Sequence, residues 1–360
     1  DGIDLEGSTS TAELAKLLDA PVILCIDATK TTRTMAAVVS GCDQFDPQVR
    51  IKGVILNRVA GPRHENILRT SIESHCGIPV LGALPKLGQQ IFPERHMGLV
   101  PTPEHSWARD SIDTIAGIAD RYIDLATVTA IARGAGPLRS AADGPDDTAP
   151  AIATASHREP PVIGIIKDSA FQFYYPENFE ALSAAGAKMI FISPLDMETI
   201  PTVDALYIGG GFPETHARQL ADNNGFRDQL KRLAEQGLPI YAECGGLMYL
   251  GEKLVLEDGA YPMAGVLPIV YGFSKKPQGH GYTIIDVDRE NPYFDVGSQY
   301  RGHEFHYSRV LEWRGGDSDL VFKMKRGNGI INRRDGACYK NVLATYTHLH
   351  ALGAPGWARA

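Results

Sequence analysis

The 360-residue sequence is short of several things, and each shortage removes a class of function. It holds 5 Cys, an odd number, scattered at Cys25, Cys42, Cys76, Cys244 and Cys338 with no CxxC pair. That pattern argues against a disulfide framework and against a structural zinc site. No run approaches the roughly 18–20 consecutive apolar residues of a spanning helix. The N-terminus also lacks the basic-then-apolar layout of a signal peptide, so a cytoplasmic protein without a membrane partner is expected. Positive charge is in deficit: 35 Lys and Arg stand against 43 Asp and Glu, a net charge of −8. General affinity for nucleic acid is therefore not expected, and an anionic substrate needs a local basic site. There is no internal repeat of solenoid length.

What remains is an ordinary globular composition, 44% hydrophobic and 22% charged, with enough chain for two or three cores. Ser10 and Glu13 form a capping box ahead of Leu14, Leu17 and Leu18 at helical spacing. The apolar runs Val22 to Ile26, Ile51 to Leu56 and Pro79 to Leu84, with a helix from about Glu65 to His75 before the third, predict strands buried on both faces of a parallel sheet. From Arg133 to Pro160 aromatic residues vanish and Ala, Pro, Gly and Asp dominate, which reads as a linker. Strands then recur at Val162–Ile166, Lys188–Ile192, Ala205–Ile208 and Pro239–Ala242, with a helix over Phe226 to Gln236. The fold class is α/β, two doubly wound, mainly parallel sheets: a first domain over 1–132, a linker over 133–160 and a second domain over 161–360. Later runs at Thr283–Val287, His303–Leu311, Val321–Lys325 and Val342–Tyr346 predict mixed or antiparallel additions to the second sheet.

The main chemical signal is Tyr241-Ala242-Glu243-Cys244-Gly245-Gly246-Leu247-Met248. A strand runs into a cysteine, two glycines follow and an apolar helix begins, which is the layout of a nucleophile elbow with Ala242 where the usual pattern has glycine. A helix N-terminus behind the cysteine favours negative charge on its sulphur. Gly209-Gly210-Gly211-Phe212-Pro213-Glu214 leaves another strand end, where backbone N–H groups are placed to meet an oxyanion. Tyr346-Thr347-His348-Leu349-His350 follows a third and offers an imidazole as base. Cys25 and Cys338 read as packing residues, and Cys42 and Cys76 as thiols without a role. His303 and His306, three apart on a strand, point to opposite faces and so do not form a joint metal site without a bulge, although His303, Glu304 and His306 fit the lining of a substrate-facing surface.

These segments, with Phe173-Tyr174-Tyr175-Pro176-Glu177-Asn178 and Arg301-Gly302-His303-Glu304-Phe305-His306-Tyr307-Ser308, resemble the triad family of class I glutamine amidotransferases. Within it they are similar to the cobyrinic acid a,c-diamide synthase family, over essentially the whole chain. The resemblance implies Cys244 as nucleophile toward L-glutamine, His348 as its base, and the N–H groups of Gly210 or Gly211 with Gly245 as oxyanion donors. Many relatives carry a Glu two residues after the histidine; here that position is His350, for which a structural role is one reading.

The first domain resembles the family's ATP-dependent synthetase, similar to dethiobiotin synthetase. The likeness rests on Gly7-Ser8-Thr9-Ser10-Thr11-Ala12-Glu13-Leu14-Ala15 and Val54-Ile55-Leu56-Asn57-Arg58-Val59, and it implies ATP and Mg2+, with Asn57 facing the adenine. The metal ligands stay unassigned. G-x-x-x-x-G-K-[ST] is missing, and the expectation is a chain truncated by roughly 90 to 100 residues before Asp1, with poor ATP binding as it stands. The substrate implied is cobyrinate or hydrogenobyrinate, amidated at its a and c acetates. A related tetrapyrrole such as nickel-sirohydrochlorin, or a chain keeping only a glutaminase or scaffold role, stays open. A homodimer is a further expectation.

Overall fold

A computed structural model describes residues 5–87, 108–137 and 159–359. Contacts divide the chain into two units, Asp1–Ala149 and Pro150–Ala360. Of the expected linker, residues 138–158 lie outside the described residues. Among the described residues, no helix is long and apolar enough to cross a membrane.

In the first unit the Ser10 hydroxyl accepts from the Glu13 N–H at 3.2 Å and starts α1 (Thr11–Leu17). Then come β1 (Val22–Asp27), α2 (Thr34–Phe45), β2 (Ile51–Val59), α3 (Pro62–Cys76), β3 (Val80–Pro85), α4 (Ala108–Tyr122) and α5 (Leu125–Arg133). The three strands pair in parallel in the order β1-β2-β3, as the strand–helix rhythm predicts. Val54, Leu56, Leu68 and Ile72 are completely buried between sheet and helices. The expectation for β1 fails in part: Cys25 is exposed rather than packed, because Val22, Leu24 and Ile26 turn to the apolar cluster and Cys25 alternates to the other, less covered face.

The second unit contains β4 (Val162–Ile166), β5 (Phe171–Phe173), α6 (Pro176–Ala184), β6 (Lys188–Ile192), β7 (Ala205–Ile208), β8 (Gly210–Gly211), α7 (Ala217–Asp222), α8 (Asn224–Glu235), β9 (Ile240–Glu243) and α9 (Gly245–Leu250). Next are β10 (Lys253–Leu256), β11 (Gly259–Pro262), β12 (Ile269–Phe273), β13 (Gly279–Val287), β14 (Gln299–His306), β15 (Ser308–Trp313), β16 (Leu320–Arg326), β17 (Arg334–Tyr339) and β18 (Val342–Thr345). Nine of the strands form one sheet in the order β14-β13-β16-β17-β18-β9-β7-β4-β6. From β18 to β6 it is parallel, and from β14 to β18 antiparallel.

Alternation along the central strands covers both faces. Ile240 and Ala242 belong to one apolar cluster with Ile208 and Leu247, while Tyr241 packs with Tyr207, Leu343 and Trp357 in the other. Each fully buried large side chain contributes about 1.5–3 kcal/mol.

The run His303–Leu311, expected as one strand, is two. The chain breaks at Tyr307, so β14 stays in the large sheet while β15 joins a smaller one, β11-β10-β12-β15. Continuous apolar and aromatic residues do not register such a change of sheet, because both halves are extended.

Candidate active site

β9 ends at Glu243, and the next residue, Cys244, turns its backbone to φ 48° and ψ −98°. A non-glycine residue there costs about 1–3 kcal/mol and persists only when its surroundings fix it. Here the Cys244 N–H donates to the Thr345 carbonyl at 2.8 Å, and its own carbonyl accepts from the Met248 N–H at 3.0 Å. The turn reverses the chain from strand into α9 and leaves the side chain at the C-terminal end of the sheet.

The glycine loop closes over this turn. The Gly209 N–H donates to the Tyr174 hydroxyl at 2.8 Å, and Gly210 and Gly211 pair with β5. A methyl group on Gly211 would overlap the Ala170 carbonyl, and one on Gly245 would stand 2.8 Å from the Gly211 nitrogen. The backbone amides of Gly211 and Gly245 are therefore neighbours beside the cysteine. Gly245 opens α9, where an N–H has no partner inside the helix. Gly210 lies against the histidine: its absent Cβ would sit 2.7 Å from His348 Cε1.

His348 reaches the cysteine because β18 runs parallel beside β9, with Thr345 opposite Glu243. Just past β18 the chain is gripped by the fully buried Asp335, whose carboxylate accepts from Thr345 Oγ1 (2.7 Å), Tyr346 N (3.0 Å), Thr347 N (3.0 Å), Thr347 Oγ1 (3.0 Å) and Gly336 N (2.9 Å). Asn178, from the Phe173–Asn178 motif, adds a second anchor by donating to the Leu349 carbonyl at 3.0 Å and accepting from the Ala351 N–H at 2.8 Å.

Two groups share the His348 ring. Glu243 Oε2 lies 3.1 Å from Nδ1, and the Cys244 thiol is its other hydrogen-bond partner. Burial works against a charged imidazole there. Cys244 and Glu243 outweigh it, through hydrogen bonds and charge, and hold the His348 pKa up at about 10. The cysteine sulphur also lies 3.9 Å from the Phe305 carbonyl oxygen.

Glu243, 1% exposed, is satisfied on both oxygens: Tyr241 Oη (3.0 Å) and Leu349 N (3.2 Å) donate to Oε1, and Tyr207 Oη (3.4 Å) to Oε2. Sequence reasoning passed over this residue. The signal was available, a carboxylate ending a strand otherwise buried throughout, directly before the nucleophile candidate. His350 packs on Tyr175 with ring centroids 4.5 Å apart and sits 3.4 Å from the Glu177 carboxylate.

Cys244, His348, Gly210, Gly211 and Gly245 thus converge. Asn57 belongs to the other unit. It lies inside β2, two residues before that strand ends, exposed and opposite Asp27, with its side-chain oxygen accepting from the Arg58 N–H at 2.9 Å. His303 and His306 face opposite ways, as expected: His303 stacks on His348, and His306 on Tyr346. Among the described residues no group of three or more His, Cys, Asp or Glu is placed to hold a metal ion.

Residues 162–355 match the family of CobB/CobQ-like glutamine amidotransferase domains, and residues 5–93 match the AAA domain family. A cobyrinate a,c-diamide synthase of Magnetococcus marinus is 41% identical over 99% of this chain and 76% of its own length. Proteins of the same description from Archaeoglobus fulgidus (39% identical, 97% of this chain, 74% of the relative) and Methanothermobacter thermautotrophicus (38%, 99% and 77%) are also similar.

Proposed function

We propose, for a chain that belongs to the cobyrinate a,c-diamide synthase family, that its second unit releases ammonia from glutamine at Cys244 for the ATP-dependent amidation of cobyrinate or a close corrinoid relative. The observation that carries this reading is the strained Cys244 elbow with His348 hydrogen-bonded between the sulphur and the buried Glu243.

In the first step the Cys244 sulphur attacks the side-chain carboxamide carbon of glutamine. The oxygen gains negative charge and is met by the Gly211 and Gly245 N–H groups, in place before reaction begins. His348 gives a proton to the amide nitrogen, the C–N bond breaks, ammonia leaves, and a glutamyl thioester remains on Cys244. Water then attacks the thioester while His348 takes its proton, the C–S bond breaks, and glutamate departs. Glu243 holds the ring for both transfers and balances its charge.

For the ammonia-using half, ATP supplies the energy to activate a carboxylate. Asn57, exposed on β2, is the proposed adenine contact. The sequence holds no G-x-x-x-x-G-K-[ST] run, and among the described residues no group of three or more His, Cys, Asp or Glu is placed to hold Mg2+. This chain's own residues account for glutamine hydrolysis.

Glutamate release from glutamine by the chain tests the proposal. Cys244→Ser is expected to abolish it while the thermal transition stays in place. Undiminished release by that variant would refute the nucleophile assignment.

A further inference from the structure

Glutamine hydrolysis requires the His348 ring to keep one nitrogen toward Cys244 and the other toward Glu243 while its charge changes twice. Both contacts act on the ring's edge, and neither stops the ring from tilting about the line that joins them. Pressure on its face has to come from elsewhere. His303 supplies a face: the two ring centroids are 4.9 Å apart and their planes differ by 19°. The backbones are locked as well, with the His348 N–H donating to the His303 carbonyl at 2.8 Å and the His303 N–H to the His348 carbonyl at 3.3 Å.

His303 is itself held. The Tyr175 hydroxyl is 3.1 Å from its Nδ1. Tyr175 precedes Pro176, which confines it to extended backbone (φ −80°, ψ 131°), and its ring packs on His350, which is paired with Glu177. The row Glu177, His350, Tyr175, His303, His348 ends at the reacting groups, and it gives the Phe173–Asn178 and Arg301–Ser308 motifs a common purpose.

We propose that His303 is a positioning residue for His348: an uncharged imidazole, clamped by Tyr175, whose face keeps the catalytic ring in line between Cys244 and Glu243. The inference rests on reading Cys244 and His348 as nucleophile and base.

Neutrality matters, because a second imidazolium face to face with the first would push it away. Burial and the His348 charge press the His303 pKa down to about 4, against a weaker opposing pull from Glu243. Beyond Tyr175 the titratable neighbours are Glu177, His350 and Tyr282. His306, on the other face of β14, pairs with Glu304 and takes no part.

The test compares glutamate release by the parent chain, Cys244→Ser, His303→Ala, His303→Phe and Tyr175→Phe across pH. The expected result for His303→Ala is a kcat about tenfold to a hundredfold lower with KM little changed. Its alkaline limb, where His348 loses its proton, should also move down toward the ordinary imidazole range. His303→Phe keeps a flat ring on His348 and should recover most of kcat.

An unaltered kcat and limb in His303→Ala would overturn the proposal, as would a His303→Phe variant no better than His303→Ala with an intact thermal transition. If His303→Ala does not fold, Tyr175→Phe decides: it should shift the limb the same way by less, and an unmoved limb refutes the clamp. A parent chain whose glutamate release does not depend on Cys244 defeats the underlying reading instead.

Discussion

Glu243→Gln changes one atom of the site and reverses its proton logic. The volume is kept, so packing among Tyr207, Tyr241 and Leu349 is preserved. Glu243 Oε1 accepts from a backbone N–H that cannot turn around, Leu349 N at 3.2 Å, so the glutamine's carbonyl oxygen is drawn there and its NH2 to the Oε2 position. That NH2 then faces His348 Nδ1 at about the 3.1 Å now occupied by the carboxylate oxygen. A donor against Nδ1 forces the proton onto the nitrogen that must accept from Cys244, so the ring is held in the wrong tautomer. By analogy with the carboxylate of serine-protease triads, the loss in kcat is on the order of 10³- to 10⁴-fold. The opposite amide orientation leaves two buried donors facing each other and costs about 1–3 kcal/mol. The assay is glutamate release against pH, with circular dichroism and thermal melting as controls for folding. Without the Glu243 charge, the alkaline limb should fall from near 10 toward the ordinary 6.5. A Glu243→Gln chain with kcat within about tenfold of the parent, far inside the range for a lost triad carboxylate, and an unmoved limb would refute this account of the site.

Gly211→Ala drives a methyl group into the Ala170 carbonyl, so glutamate release should drop sharply and stability fall by about 1–3 kcal/mol in urea titration; a fully active, equally stable variant would contradict the packing argument. Asp335→Asn must set an amide NH2 against a backbone N–H whichever way it turns, since Oδ1 accepts from Tyr346 and Gly336 and Oδ2 from Thr347. A loss of about 1–3 kcal/mol is expected by denaturant unfolding, and no change would show that the grip on the His348 segment is unimportant. pH should act on stability from two sides. His348, raised from 6.5 to about 10, stabilises fully below pH 6.5 and loses that contribution as pH rises through about 10. His303, pressed from 6.5 to about 4, leaves the fold unpenalised above pH 6.5 and weakens it as pH falls through about 4. His348→Gln should flatten the alkaline decline in melting temperature, and a decline as steep as the parent's would exclude His348 as its source.

The parallel strands were readable because burial on both faces writes itself as unbroken apolar runs, and Val162–Ile166 starts and stops where its run does. The Cys244 turn was readable because few sequences other than an elbow need two glycines directly after a buried strand. Glu243 stood out only as a carboxylate closing a buried strand; its pairing with His348 was not readable, because the two lie 105 residues apart and only the β9–β18 register brings them together. The break at Tyr307 escaped for a similar reason: which sheet a strand joins depends on distant neighbours. Cys25 misled because an unbroken apolar run does not show which of its two faces is left uncovered.

The surroundings of Glu243 follow from what happens to its partner during the reaction. A carboxylate this buried is costly unless paired, and in the resting site the pairing comes from a protonated His348. In the proposed reaction His348 passes its proton to departing ammonia, and that pairing disappears while the carboxylate stays where it is. What then holds the charge is the set of neutral donors, the hydroxyls of Tyr207 and Tyr241 and the N–H of Leu349. Burial and the Glu243 charge lift both phenols well above their ordinary range, so they remain donors throughout the cycle. The same rings fill the core behind the sheet, where each packs on Trp357. Core and catalytic electrostatics are thus carried by the same side chains. For this reason β7, β9 and β18 act as one unit, and a substitution that loosens the aromatic core behind them should weaken the thioester-stage site before it unfolds the protein.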